Sequence, residues 1–343
     1  MAGLVTVVTR TLGRACIADA AASVAAQTHR PLEWVVVDAT GRGIDVPPAG
    51  DVPIRVASAG EPLLRARAAN HGLDAAEGAR ALILDDDDLL APRALERLSA
   101  ALDAQRDAHV AYGDVRGVSS DDREVAQFRF EFSELLVARR NPFPIHAAMV
   151  DLPFVRTAGV RFDESLDWYE DWQFWLALSA RTRFVHVPET IATYRMHLSQ
   201  SGIRDVDGER GDARILAQRD AVLARSAERR NALDARHDAL KREARMHEAA
   251  GRLPQAAAAW VAAHQDYHYD AEPLLRYAAL ALRAGDARAA RASVDGGLAL
   301  LPYEPALYRV LATILGRAGD RKGAADAVAR AEALEAHGPV SPI

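Results

Sequence analysis

The stretch Ala81 to Pro92, ALILDDDDLLAP, constrains this chain more than any other. Four apolar residues, Ala81 to Leu84, run into four consecutive carboxylates, Asp85 to Asp88. Adjacent acids repel one another, and no basic residue lies within four positions to relieve them. Such a cluster is costly unless it is solvated or holds a cation. Hard divalent ions prefer oxygen ligands. The apolar run reads as a buried strand, so the acids emerge at its C-terminal end. That edge is where open α/β sheets place their ligands. The expectation is a metal-dependent site that holds a phosphate. The plain alternative is a solvated acidic loop that caps the helix starting near Pro92, with Asp88 as the capping residue.

The sequence upstream supplies the rest of a sheet. Leu4 to Val8 is a β-branched run and reads as a first strand. Ile17, Ala20, Ala21 and Val24 fall on one face of a helix. Leu32 to Val37 is a second buried strand ending at Asp38, and Ile54 to Ala57 a short third one. Leu63 to Ala76 reads as a helix carrying Arg65, Arg67 and Asn70. The order β-α-β-β-α-β predicts an α/β fold with a mostly parallel central sheet. Asp38 and Asp85–Asp88 then share one sheet edge, across which a nucleotide fits with its base near Asp38.

The whole chain narrows the class. At 343 residues it is long enough for two domains. A net charge of −6 excludes a chain-wide nucleic-acid-binding surface. The single cysteine, Cys16, excludes an internal disulfide and a cysteine zinc site. No apolar run approaches the ~18 residues of a transmembrane helix. MAGLVTVVTR has no signal-peptide pattern. A cytoplasmic location is expected, compatible with peripheral attachment to the inner face of a membrane.

Downstream, Arg93 to Gln105 is an amphipathic helix. His109 to Asp114 and Val125 to Phe132 read as strands, and Ser133 to Ala138 as a helix. Asn141 to Met149 is a loop carrying His146, a residue either satisfied within the fold or facing a ligand. In Phe162 to Leu178, the residues Trp172, Trp175, Leu176 and Ser179 share a helical face. Glu170 and Asp171 occupy that helix's first turn, where acids favour the macrodipole and a carboxylate pKa is expected to fall. Phe184 to Val187 reads as a strand stopped by Pro188, and Ile191 to Tyr194 leads into Arg195.

Four segments, VTVVTRTLGRA, SVAAQTHRPLEWVVVDA, RARAANHGLDAAEGARALILDDDDLLAP and FDESLDWYEDWQFWLAL, agree in order and spacing with one family. Residues 4 to about 205 resemble the family 2 glycosyltransferases, which have the GT-A fold. The resemblance implies that Asp85 and Asp87 are the two acids of an Asp-x-Asp motif holding Mg²⁺ or Mn²⁺ against a donor diphosphate. It implies Asp87 as the direct metal ligand, Asp85 or Asp86 at the ribose, and Asp38 at the base. Thr9, Arg10, Arg67 and Asn70 fall to the nucleotide-sugar site. Asp171 becomes the general base, with Glu170 orienting it or touching the acceptor. His197 completes the metal or diphosphate site, and Arg195 and Arg204 offset charge on the leaving diphosphate. Two departures lie near the base: Thr9-Arg10-Thr11-Leu12 replaces a common Pro-Thr-Tyr-Asn, and Ala39 replaces a second acid.

The implied activity is inverting, metal-dependent transfer of a sugar from a nucleotide-sugar donor to an acceptor hydroxyl. The acceptor would be a glycan, a lipid-linked species or a protein, in surface glycan or glycoconjugate assembly. A rival is a haloacid dehalogenase phosphatase, in which Asp-x-Asp also follows an apolar strand, but usually the first strand and with Thr or Val where this chain has Leu89. Another is a degenerate transferase domain acting as a scaffold.

Composition changes after about Asp205. Glu209 to Arg245 is rich in Ala, Arg, Leu, Asp and Glu and reads as one or two long helices. AAGRLPQAAAAW, RAGDARAARASV and RAGDRKGAADAV then place Gly251, Gly285 and Gly319 34 residues apart. Pro273 and Pro305 are expected just before later helices. This period resembles tetratricopeptide repeats, whose concave face binds proteins or joins subunits; the alternative is a helical module that only packs on the catalytic domain. The expected domains are 1–208, catalytic; 209–238, a helical linker; and 239–337, helical repeats.

Overall fold

The computed structural model describes residues 3–196 and 213–337. His197 and Arg204 lie outside the described residues. The chain forms two compact units, Met1–Ala227 and Glu228–Ile343.

The first unit opens as its sequence pattern requires. Strand β1 (Val5–Thr11) is followed by α1 (Ile17–Ala25), β2 (Leu32–Asp38), β3 (Ile54–Ser58), α2 (Arg65–Ala75) and β4 (Arg80–Ile83). These strands pair in parallel in the order β3-β2-β1-β4. β1 and β2 are buried along their whole length, as parallel central strands are. α1 buries Ile17, Ala20, Ala21 and Val24, the face its spacing predicts.

The sheet continues past β4. β5 (Leu89–Leu90), α3 (Ala94–Ala104), β6 (Ala108–Val118), β7 (Glu124–Phe128), α4 (Glu134–Arg139), β8 (Ala148–Asp151), α5 (Leu152–Thr157), α6 (Glu170–Ser179) and β9 (Arg183–Arg195) follow in sequence. The sheet order is β3-β2-β1-β4-β8-β6-β9-β5, with β7 on β6. β8 joins antiparallel to both neighbours, whereas β6 and β9 are parallel. Pro188 does not stop β9, contrary to the sequence expectation. The register against β6 jumps from Gly113↔Val187 to Asp114↔Thr190, so Pro188 and Glu189 leave the ladder where an amide N–H is missing. α7 (Ala213–Arg225) completes the unit, and its Gln218 Oε1 accepts the backbone N–H of Asp167 (2.8 Å) and Trp168 (2.9 Å).

The second unit is all helical among its described residues. It comprises α8 (Ala227–Ala249), α9 (Leu253–Asp266), α10 (Ala271–Arg283), α11 (Ala287–Leu300), α12 (Pro305–Arg317) and α13 (Arg321–His337). Pro305 opens α12 and Pro273 lies inside the first turn of α10, rather than before these helices, because an N–H missing there costs nothing. Gly251, Gly285 and Gly319 take φ of 71°, 80° and 83°. One residue later, the N–H of Arg252, Asp286 and Asp320 reaches back to the carbonyl of His247, Ala281 and Leu315 (3.0, 2.9 and 3.0 Å). The same left-handed helix stop thus recurs at each repeat. Trp260, fully buried, anchors one cluster with Ala244, Ala256, Ala263 and Leu280.

Helix α2 lies against the sheet through Gly72. A Cβ there would sit 2.2 Å from Val8 Cγ1 and 3.0 Å from Val37 Cγ2. Helix propensity alone would make Gly72→Ala stabilising by about 1 kcal/mol. The clash with two core valines outweighs this, and overpacking costs about 1–3 kcal/mol. Urea denaturation should therefore show Gly72→Ala lowering the midpoint of the first unit; a raised midpoint would contradict this packing.

Candidate functional site

The acid run sits where the sheet register puts it. β1 and β4 pair Val8 with Ile83, and the ladder extends to Leu84, whose N–H meets Val8 O at 2.8 Å. Two residues further along both strands, Arg10 comes level with Asp85. Its Nε donates to Asp85 Oδ1 (2.8 Å) and its Nη2 to Oδ2 (3.1 Å). Its Nη1 donates to Glu170 Oε1 (2.8 Å) at the start of α6 and to Arg65 O (3.1 Å) at the start of α2. Burial opposes the charge on Arg10, but Asp85 and Glu170 more than offset it and raise its pKa above the ordinary value. Burial likewise opposes the Asp85 charge, yet Arg10 holds that carboxyl well below the usual range.

The other three acids have distinct environments. Asp86 is buried and accepts from the Thr11 hydroxyl and the Arg14 guanidinium. Among the described residues, the Asp87 carboxylate is paired with Arg14, Nη1 to Oδ2 at 3.0 Å. Burial and the charges of Asp88 and Asp85 push Asp87 up to about 6, against the pull of Arg14. Asp88 does not cap α3, as the solvated-loop alternative would have it. The N-cap of α3 is Arg93, with no side-chain cap. Asp88 is instead drawn inward, where its Oδ1 accepts the Arg195 N–H (2.8 Å) and its Oδ2 lies 3.0 Å from His146 Nδ1. Burial opposes charge on His146, but Asp88 raises its pKa above the ordinary value.

These groups line a cavity of about 440 Å³ together with Leu12, Leu64 and the segment Trp168 to Asp171. That volume suits a small-molecule site. Tyr169, at the N-cap of α6, takes φ 62°, an uncommon conformation for a bulky residue. The next two residues are Glu170 and Asp171. Asp171 Oδ2 accepts from Asn141 Nδ2 (3.0 Å), and Oδ1 from the Trp172 N–H (2.7 Å). The helix N-terminus pulls its pKa down through the Trp172 N–H, as the sequence leads one to expect, but it does not decide the outcome. Burial and the adjacent Glu170 charge dominate and push it up to about 7. A carboxylate tuned there is suited to accept a proton near neutral pH.

The structure thus brings Arg10, Asp85, Asp86, Asp87, Glu170 and Asp171 to one cavity, and His146 with them. Thr9, Asp38, Arg67 and Asn70 are not among its lining residues. The Thr9 hydroxyl accepts the Trp34 indole N–H (2.9 Å). The Asp38 carboxylate is filled by its own loop: Oδ1 accepts from Thr40 N, Thr40 Oγ1 and Gly41 N, and Oδ2 from Gly43 N and Ser58 Oγ. Arg67 pairs with Glu61 at the surface (2.6 Å). Asn70 ties both backbone groups of Phe162 (3.0 Å each), holding the segment before α6. Sequence reasoning missed Thr11, Arg14 and Asn141. The available signal was a second arginine beside the end of a strand neighbouring four acids.

A divalent ion fits this donor set. One oxygen each from Asp85, Asp87 and Asp88 lie within 4.8 Å of one another. All are hard oxygen donors of the kind Mg²⁺ and Mn²⁺ prefer. Burial, then the charges of Asp88 and Asp85, disfavour the Asp87 anion more than Arg14 favours it, and a cation beside it would act in the same sense as Arg14.

No helix of the described residues is long and apolar enough to cross a membrane. The model of "Glycosyl transferase family 2" matches residues 5–153, which contain β1 and the acid run but stop before α6. No curated protein matches the chain. Among solved structures, residues 1–349 of S. aureus TarS align at TM-score 0.46 and 15% identity, over 98% of this chain and 92% of that one. The same protein in complex with UDP-GlcNAc aligns at TM-score 0.47 and 15% identity, over 95% and 90%. The translocator chaperone SycD of Yersinia enterocolitica aligns with 30% of this chain and 77% of its own, at TM-score 0.29 and 23% identity. The match over residues 5–153, a little under half of the chain, makes this part of the chain similar to family 2 glycosyltransferases and supports an enzyme that transfers sugar from a nucleotide-sugar donor.

Proposed function

We propose that the protein is an inverting, metal-dependent glycosyltransferase that moves a sugar from a nucleotide-sugar donor to an acceptor hydroxyl. The supporting observation is the Arg10 guanidinium, which joins Asp85 of the acid run to Glu170 beside Asp171 (2.8 Å to each) within one cavity. Donor-side acids and a tuned base are thereby held in fixed register.

Asp85, Asp87 and Asp88 would hold Mg²⁺ or Mn²⁺, which would offset charge on the departing nucleoside diphosphate. Asp171 takes the acceptor hydroxyl's proton on a carboxylate oxygen while that hydroxyl attacks the anomeric carbon. Asn141 and the Trp172 N–H fix the orientation of that carboxylate. Glu170, paired with Arg10, keeps the start of α6 seated on the donor side. One displacement from the face opposite the diphosphate inverts the anomeric centre. The resemblance to family 2 enzymes supports inversion. Asp38 then acts by shaping its loop, and Asn70 by holding the approach to α6. In the second unit, the 34-residue period and the repeated helix stop support a tetratricopeptide-like surface for a protein partner or for self-association. Surface glycan or glycoconjugate assembly is the setting we infer, at a cytoplasmic location.

Two outcomes are expected. In a screen of nucleotide sugars with Mn²⁺, one donor should turn over, and its nucleoside diphosphate at ~100 times its dissociation constant should add ~2.7 kcal/mol of stability. Asp171→Asn should keep that thermal shift and lose transfer. Because the base must be ionised, kcat/KM should climb with pH through about 7. No stabilisation by any nucleotide and no turnover would sink the transferase reading and favour a scaffold. Secondly, protons compete with the ion for Asp87, so Mn²⁺ affinity measured by EPR should fall as pH drops through about 6. Asp87→Asn should abolish that dependence; a wild-type affinity flat from pH 5 to 7.5 would remove Asp87 from the ligand set.

A further inference from the structure

We propose that Arg14 is the resident counter-ion of the acid run, and that a divalent ion enters only by displacing its guanidinium from Asp87. The proposal rests on reading the acid run as a cation site, and concerns a residue that neither the family match nor the sequence motifs assign. The loop after β1 is built to deliver Arg14. Gly13 takes φ 75°, and its N–H donates to the Thr11 hydroxyl (2.9 Å), which itself donates to Asp86. That reversal turns the following side chain back over the acids.

The guanidinium then spans two carboxylates. Nη2 and Nε (3.3 Å) both address Asp86, and Nη1 lies 3.0 Å from Asp87 Oδ2. The Arg14 side chain is 29% exposed, whereas Asp86 and Asp87 are 1% and 9% exposed. Arg14 lines the cavity together with both acids, and Asp87 Oδ2 has no other cation beside it among the described ion pairs. Asp87 is also one of three acids whose oxygens converge within 4.8 Å. An ion held by these three acids would compete for the Asp87 carboxylate with the guanidinium now on its Oδ2, and the two carry like charge. A freed Arg14 remains at the cavity wall, where its planar fork matches two oxygens of a phosphate.

The test is Mn²⁺ titration of the full chain, without nucleotide, followed by EPR of the free ion. Wild type, Arg14→Lys, Arg14→Met and Arg14→Met/Asp87→Asn are compared after thermal melts confirm folding. Lysine keeps the charge but cannot fork onto Asp86 while reaching Asp87. If Arg14 occupies the position, Arg14→Lys should bind Mn²⁺ about threefold tighter and Arg14→Met about tenfold or more. The double variant should lose the gain. Arg14→Lys equal to wild type would show that only charge matters and overturn displacement, as would unchanged or weaker binding in Arg14→Met. Those results leave the transferase reading standing, because the titration holds no donor. Absence of Mn²⁺ binding in every variant would overturn both this proposal and the metal dependence of transfer.

Discussion

One side chain holds the first unit's chemistry together. Arg10 reaches Asp85 just past the end of a neighbouring strand and Glu170 on a helix 160 residues away in sequence, with both contacts at 2.8 Å. Burying a guanidinium and two carboxylates carries a desolvation cost that only close pairing repays. The reward is geometric. The acid run is fixed by the sheet register, α6 by its tryptophans, and Arg10 locks the two together. Asp171 sits one residue beyond that lock, so its position and its pKa both depend on it.

Charge distribution explains why four adjacent acids are tolerated. The sequence offers no local base, but the fold supplies distant ones. Arg10 serves Asp85, Arg14 serves Asp86 and Asp87, and His146 with the Arg195 backbone serves Asp88. The acids are therefore unequal. Arg10 holds Asp85 well below the usual carboxylate range, whereas burial and its acidic neighbours push Asp87 up to about 6.

Much of the fold was legible from the chain. The β-branched runs fixed the parallel half of the sheet, and helical spacing picked the buried faces of α1 and α6. The three glycines 34 residues apart marked the stops of α8, α10 and α12. What failed to show was set by tertiary contact. Pro188 reads as a stop because local pattern cannot reveal the bulge that absorbs it. Asp38 reads as a ligand because a strand-end acid looks alike whether it faces a cavity or fills its own loop. The rise in the Asp171 pKa follows from burial and Glu170, which outweigh the helix terminus that sequence alone brings to mind. Arg14 was hidden because its partners lie 72 residues away.

The site depends most on Arg10 and Glu170 acting as one unit. A double-mutant cycle of Arg10→Met and Glu170→Gln, read by urea denaturation of the first unit, measures that coupling. Each single change should cost about 3–5 kcal/mol by stranding a buried charge, and the pair should cost less than the sum by more than about 1 kcal/mol. Additive costs, within about 0.5 kcal/mol, would show that the two residues are independent and would contradict the account.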